Sequence, residues 1–223
     1  MGGADYEYWA ERLAAEKLTP AKLDGKAQVM MVAAAGKFMG VRFQELSVSV
    51  LLSTAVDADL PNACFLVQAF NSNRFFAFCE RVLFATPYVH AQVNIRHTMP
   101  AAVRVARQGN TLFHAEMKDF TSGRMPQREG EEGWECCVNL PLRDPSKADS
   151  GKLFYARLSG MTRAYSFLKG EDTFTIQDSQ IDVFRLLLDS QFVPQEWLIR
   201  EDASHAKSKT YPRGKFSPLA SRK

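Results

Sequence analysis

Two short stretches of the chain place side chains that can do chemistry at the period of a β-strand. In VRFQELSVSVLLS, Leu46, Val48, Val50 and Leu52 make one apolar face, while Phe43, Glu45, Ser47 and Ser49 make a less apolar one. In PYVHAQVNIR, Val89, Ala91, Val93 and Ile95 alternate with Tyr88, His90, Gln92, Asn94 and Arg96. A carboxylate (Glu45), a phenol (Tyr88) and an imidazole (His90) brought to one apolar cavity would suit hydrogen bonding to a carbonyl or a carboxylic acid. Proton transfer would suit them too, if burial raised the pKa of the glutamate. The competing reading makes His90 to Arg96 the solvent face of a sheet. His114 with Glu116 reads as a surface pair, and Lys37, Lys118 and Lys169 have no adjacent cation or apolar run of the kind that activates an amine.

Other chemistries find no support. The sequence has no GxGxxG, P-loop, HExxH or GxSxG motif, and no His/Asp/Glu cluster with metal-ligand spacing, so neither a metal nor a cofactor is implied. Cys64, Cys79, Cys136 and Cys137 lack paired CxxC spacing and read as reduced core residues. Of the vicinal Cys136–Cys137 pair, only one thiol can share a given pocket if the segment is a strand.

At 223 residues, 46% apolar and 24% charged, the chain can bury a sizeable core, which excludes disorder and fibres. Acids and bases interrupt every apolar run short of membrane-spanning length. The N-terminal MGGADYEYWAERLAAEK lacks the basic-then-apolar layout of a secretory signal, so a cytoplasmic protein is expected. The net charge of +3 is unevenly placed. Lys207, Lys209, Arg213, Lys215, Arg222 and Lys223 all follow His205, without an acid among them, and subtracting these six leaves −3 on the rest. Positive charge gathered in a tail, rather than on a face with interleaved aromatics, argues against nucleic acid and for a solvated extension or a strap across a neighbour.

The elements that must position the candidate residues are mostly strands. An amphipathic helix is expected over 5–17, with Tyr8, Trp9, Leu13 and Ala14 on one side, then strands at VMMVAAAGKF, VRFQELSVSVLLS and NACFLVQAF. Asn71 or Ser72 would cap a helix whose Phe75, Phe78, Cys79 and Val82 repeat at helical spacing, read as core, and Pro87 would end it. PYVHAQVNIR follows as one strand. A hairpin is expected from AAVRVAR to TLFHAEMKDF, turning at Gly109–Asn110, with Phe113, Ala115 and Met117 on its inner face. Residues 121–133 and 143–151 read as loops around a strand at WECCVNL. Strands at KLFYARLSG and DTFTIQD and a helix at IDVFRLLLDSQF complete the pattern. Few helices among many strands predict an α+β domain over 1–200 on a large, mostly antiparallel sheet, with 201–223 as a basic extension.

The order strand with FQE, strand, Phe-rich helix, proline, strand resembles the acetoacetate-decarboxylase-like superfamily over roughly residues 20 to 195, in a branch of bacterial proteins whose helix ends in a Pro-Tyr step. In that family a Gly-Pro-Tyr-Asn-Glu segment opens a strand and its glutamate lines the pocket. Here GVRFQE puts Phe43 at the tyrosine's place and Glu45 at the glutamate's. The family's Gly-Tyr-Pro-Lys-Lys carries the Schiff-base lysine and the lysine that depresses its pKa, a pair that is the standard example of an activated amine. This sequence has Pro87-Tyr88-Val89, with a phenol and a valine at those two places. What the resemblance implies is a closed, cone-shaped antiparallel β-barrel with peripheral helices, holding one small ligand. The expected ligand is a carboxylate or carbonyl compound, contacted by Phe43, Tyr88, His90 and Asn94. No Schiff base is expected. If there is catalysis, it is that of a lyase or isomerase using Glu45 and Tyr88. The exposed edge strand of such a sheet favours a homo-oligomer.

Overall fold

The computed structural model describes residues 1–53, 62–118, 123–142, 151–177 and 181–213. Strand β1 (Gly2–Asp5) leads into helix α1 (Tyr6–Ala14), capped by Asp5, whose carboxylate accepts from the Tyr8 amide at 2.7 Å. α1 buries Trp9 and Leu13 and leaves Ala14 exposed. The short β2 (Lys22–Leu23) precedes the long meander β3 (Lys26–Phe38), β4 (Val41–Leu52) and β5 (Asn62–Asn71). Helix α2 (Arg74–Cys79) runs on into a π-helical turn (Glu80–Phe84) and returns as β6 (Tyr88–His90). After β7 (Gln92–Arg96), the hairpin β8 (Ala102–Arg107) and β9 (Asn110–Glu116) and the long β10 (Arg128–Asn139) and β11 (Lys152–Ser166) follow. The chain ends with β12 (Thr173–Ile176), α3 (Asp182–Asp189), β13 (Val193–Pro194), β14 (Glu196–Ile199) and β15 (Ser204–Pro212).

Eleven strands form one sheet in the order β13-β1-β3-β4-β5-β10-β11-β14, with β2 on β3, β6 on β5 and β15 on β11. β12, β9, β8 and β7 form a second sheet of four. Within the described residues only β5–β10 and β5–β6 are parallel, so the sheet is mixed but mainly antiparallel. The α+β reading holds, but the barrel that the resemblance implies does not close. β13 and β14, at the two ends of the strand order, pair with β1 and β11 respectively, and no ladder joins them to each other among the described residues. Gln195, between them, donates its amide to Met1 O at 3.0 Å, and its carbonyl accepts from Phe167 N at 2.7 Å.

The main sheet has two apolar faces. Leu46, Val48 and Val50 pack with Val93, Val105 and Phe113 of the second sheet and with Phe184 and Leu187 of α3. The rings of Phe70, Phe184 and Phe113 stack in series, with centroids 5.3 and 5.5 Å apart. On the opposite face a smaller cluster gathers Cys64, Leu66, Ala69, Tyr88, Cys136, Val138, Phe154 and Ala156. The four cysteines are free thiols, three of them buried, and burial and the neighbouring Cys64 push Cys137 up to about 11.

Several expectations need correction. PYVHAQVNIR is two strands, broken at Ala91, with β6 in the large sheet and β7 in the small one. The cap of α2 is Asn73, whose side chain accepts from Phe75 N and Phe76 N, because the Asn71 and Ser72 side chains accept from Asn73 N and Gln44 N instead. Phe75, Phe78 and Val82 are exposed rather than core, Ala77 being the buried residue of this helix. The hairpin turns at Gln108–Gly109, both at positive φ, rather than at Gly109–Asn110. Residues 128–133 are strand, drawn into the ladder by twelve consecutive pairings of β10 with β11. Residues 143–150 of the second expected loop, and Lys215, Arg222 and Lys223, lie outside the described residues.

Candidate functional site

Register brings Glu45 and Tyr88 together. With Leu46, Val48 and Val50 committed to the main core, the pleat turns Glu45 to the opposite face, beside Asn71 of β5. The crossover through α2 lays β6 parallel to the other side of β5, with Tyr88 next to Ala69 and His90 next to Asn71. The Tyr88 hydroxyl donates to Glu45 Oε2 at 3.3 Å, and Asn71 Nδ2 donates to the same oxygen at 3.4 Å. Tyr88 is 8% exposed. Burial pushes the Glu45 carboxyl above its usual range, against the opposing effects of Lys207 and the Tyr88 bond. Burial and the charges of Glu45 and Glu80 push Tyr88 well above the ordinary phenol value, so it acts as a neutral donor.

The turn that delivers Tyr88 is built locally. The π-helical turn ends at Ala85, which takes a left-handed conformation (φ 60°, ψ 30°), and Pro87 then prevents any return to helix. The Thr86 hydroxyl donates to Glu80 Oε2 at 3.0 Å and its amide donates to Glu80 O at 3.2 Å. Glu80 also receives Lys207 Nζ, 2.7 and 2.8 Å from its two carboxylate oxygens. Lys207 lies on β15, 127 residues further along the chain. The segment expected as a solvated tail or a strap is, over 204–212, a strand on β11. Sequence reading missed Lys207 and Glu80, which no local pattern connects.

The remaining candidates lie around this core or apart from it. Phe43 packs on Phe76, with centroids 5.6 Å apart, across Gly36, where an added Cβ would come within 2.9 Å of the Phe43 ring. His90 is held below its ordinary value by burial and by the charges of Arg74 and Arg107, not by Glu45. Asn94 is exposed on the second sheet, in an open groove lined by Gln44, Ile95, Arg96, Ala102 and Arg104, because the break at Ala91 separates it from Tyr88. His114 Nε2 pairs with Glu116 at 3.3 Å at the surface, as expected. Lys118 pairs with Glu171 at the surface, and Lys37 and Lys169 are exposed. No group of three or more metal-ligating side chains occurs among the described residues.

No protein-family model matches the sequence, nor does any curated protein. Solved structures do. An acetoacetate decarboxylase-like enzyme from Sphingomonas wittichii RW1 matches over 89% of this chain and 83% of its own, with a TM-score of 0.51 at 13% identity. The enduracididine biosynthesis enzyme MppR, complexed with pyruvate, matches over 94% and 81%, with a TM-score of 0.54 at 11% identity. Acetoacetate decarboxylase from Legionella pneumophila matches over 95% and 80%, with a TM-score of 0.51 at 12% identity. At such identities the likeness is one of architecture, and what this chain shares with these proteins is the acetoacetate decarboxylase-like fold.

Proposed function

We propose that this chain binds a small carboxylate or carbonyl compound at Glu45 and Tyr88. The observation that carries the reading is the pairing of Glu45 with Tyr88: a half-buried carboxyl, raised by burial, accepts two long bonds on one oxygen. Raised by burial, Glu45 can hold a proton, and with the Tyr88 hydroxyl it then offers O–H donors to a ligand oxygen. That a structure of the same fold is complexed with pyruvate supports the ligand class. A lyase or isomerase is the second reading, with Glu45 exchanging a proton and Tyr88 polarising a carbonyl, favoured by a carboxyl that burial raises above its usual range. Glu45→Gln separates the two, since it removes turnover at unchanged affinity in an enzyme and leaves a binder nothing to lose.

The experiment is calorimetric titration with pyruvate and related keto acids, followed by borohydride reduction and intact-mass measurement. Saturable binding without a covalent adduct is expected. Absence of binding by the folded protein would overturn the reading, and a trapped adduct would replace it with imine chemistry. A homo-oligomer is part of the same proposal, supported by the exposed apolar ridge of Phe75, Phe78, Val82 and Leu83. Light scattering is expected to return more than one copy, and Phe78→Glu to return one.

A further inference from the structure

Strand β15 does not run regularly along β11. Lys207 lies opposite Ala156 and Thr210 opposite Phe154, so three steps of β15 match two of β11. In a regular strand residues three apart face opposite sides; the bulge turns both Lys207 and Thr210 to the face of Phe154 and Ala156, which is the face of Tyr88. There Lys207 Nζ lies 4.5 Å from the ring centroid of Phe154, 5.5 Å from that of Phe84 and 5.9 Å from that of Tyr88. Its counter-ion, Glu80, is held in place by Thr86. The Thr210 hydroxyl is buried without a hydrogen-bond partner among the described residues.

An ammonium drawn out of water is stable when a carboxylate and ring faces surround it. Among the described residues this one has a single carboxylate partner, and the two side chains keep 23% and 22% of their surface accessible, so the counter-ion is open to exchange. We propose that Lys207 is the anion-recognition residue of the candidate site, taking the carboxylate of a small 2-keto acid in exchange for Glu80. The carbonyl oxygen of the ligand then accepts from the Tyr88 hydroxyl and from Glu45 in its protonated form. Lys207 Nζ lies within 5.9 Å of the Tyr88 ring centroid, so one small ligand can reach both side chains. The inference rests on the binding reading above and adds to it the residue that selects for charge.

The test compares pyruvate with its uncharged methyl ester on the full chain, using calorimetry. Wild type is expected to prefer pyruvate. Lys207→Met should weaken pyruvate about 10- to 100-fold, the usual effect of a lost charge-assisted hydrogen bond, and leave the ester nearly unchanged. Lys207→Arg should keep the preference for the anion, and Glu80→Gln should tighten pyruvate by removing its competitor. If wild type binds neither compound, the binding reading fails and this inference with it. If Lys207→Met binds pyruvate as wild type does, the binding reading stands and this inference alone is overturned. Should Lys207→Met not fold, the side-chain NMR signals of Lys207 in wild type decide: movement on adding pyruvate supports the proposal, and their constancy at saturation overturns it.

Discussion

Asp172 is a buried carboxylate and Glu45 a half-buried one, and the two are treated in opposite ways. Asp172 accepts five hydrogen bonds: Arg124 Nη1 and Nη2 at 2.7 and 2.9 Å, the amides of Lys118 and Leu168 at 3.0 and 2.9 Å, and Trp197 Nε1 at 3.0 Å. Glu45 accepts two, at 3.3 and 3.4 Å. Burial alone would raise both. For Asp172 the donors outweigh burial and the net shift is downward, whereas for Glu45 burial wins. A saturated carboxylate is a staple, joining the segments around residues 118, 124, 168 and 197; an under-satisfied one keeps capacity for something else.

The largest expected effect is at the staple. Asp172→Ala leaves the Arg124 guanidinium, whose side chain is 11% exposed, without that partner and frees two backbone amides and an indole. Breaking a buried pair in this way costs about 3–5 kcal/mol, to be measured by urea denaturation. A cost under about 1 kcal/mol, the range of an exposed ion pair, would break the comparison.

The comparison also fixes the sign of two pH dependences. The folded-state pKa of Asp172 is depressed, so its stabilisation is present above the unfolded-state value and is lost as pH falls through the folded one. The folded-state pKa of Glu45 is raised, so its contribution is fully present below the unfolded-state value and is lost as pH rises through the folded one. Glu45→Gln should therefore gain stability relative to wild type across that window. The gain is on the order of 1 kcal/mol, the scale of relieving an imperfectly satisfied buried group. Paired denaturation curves between pH 4 and about pH 8, starting near the ordinary glutamate value, check this. A difference that stays flat with pH would remove Glu45 from the set of perturbed groups.

The sequence made one half of this contrast legible and hid the other. Glu45 could be found because the alternation of Leu46, Val48 and Val50 fixes which way it points, and Tyr88 because Pro87 marks where the helix must stop. Lys207 could not, since its face is set by a bulge and its partner lies on the crossover turn. Asp172 draws its donors from three other segments, none with a motif. Asn94 was misplaced because a one-residue break at Ala91 leaves the apolar alternation intact while moving the strand to another sheet. The Phe-rich helix shows the limit of periodicity: its spacing is helical, but the buried position is Ala77, and the rings of Phe75 and Phe78 point outward.

The smallest expected effect asks whether the backbone follows the same division. The turn that seats Asp172 passes through Gly170 at φ 86°, a conformation glycine adopts without cost. The turn that delivers Thr86 and Tyr88 passes through Ala85 at φ 60°, where a Cβ costs about 1–2 kcal/mol. Ala85→Gly removes that cost but restores freedom to the unfolded chain, worth about 0.4–1 kcal/mol in the other direction. The net gain should be about 0.5–1 kcal/mol, or roughly 1–4 °C in Tm for a chain of this size. Gly170→Ala, whose Cβ would meet nothing within 4 Å, should lose stability through its backbone alone. Differential scanning calorimetry of the two variants is therefore expected to give shifts of opposite sign. Shifts of the same sign would mean that strain is not what distinguishes the site from the staple, and would leave the contrast resting on hydrogen bonds alone.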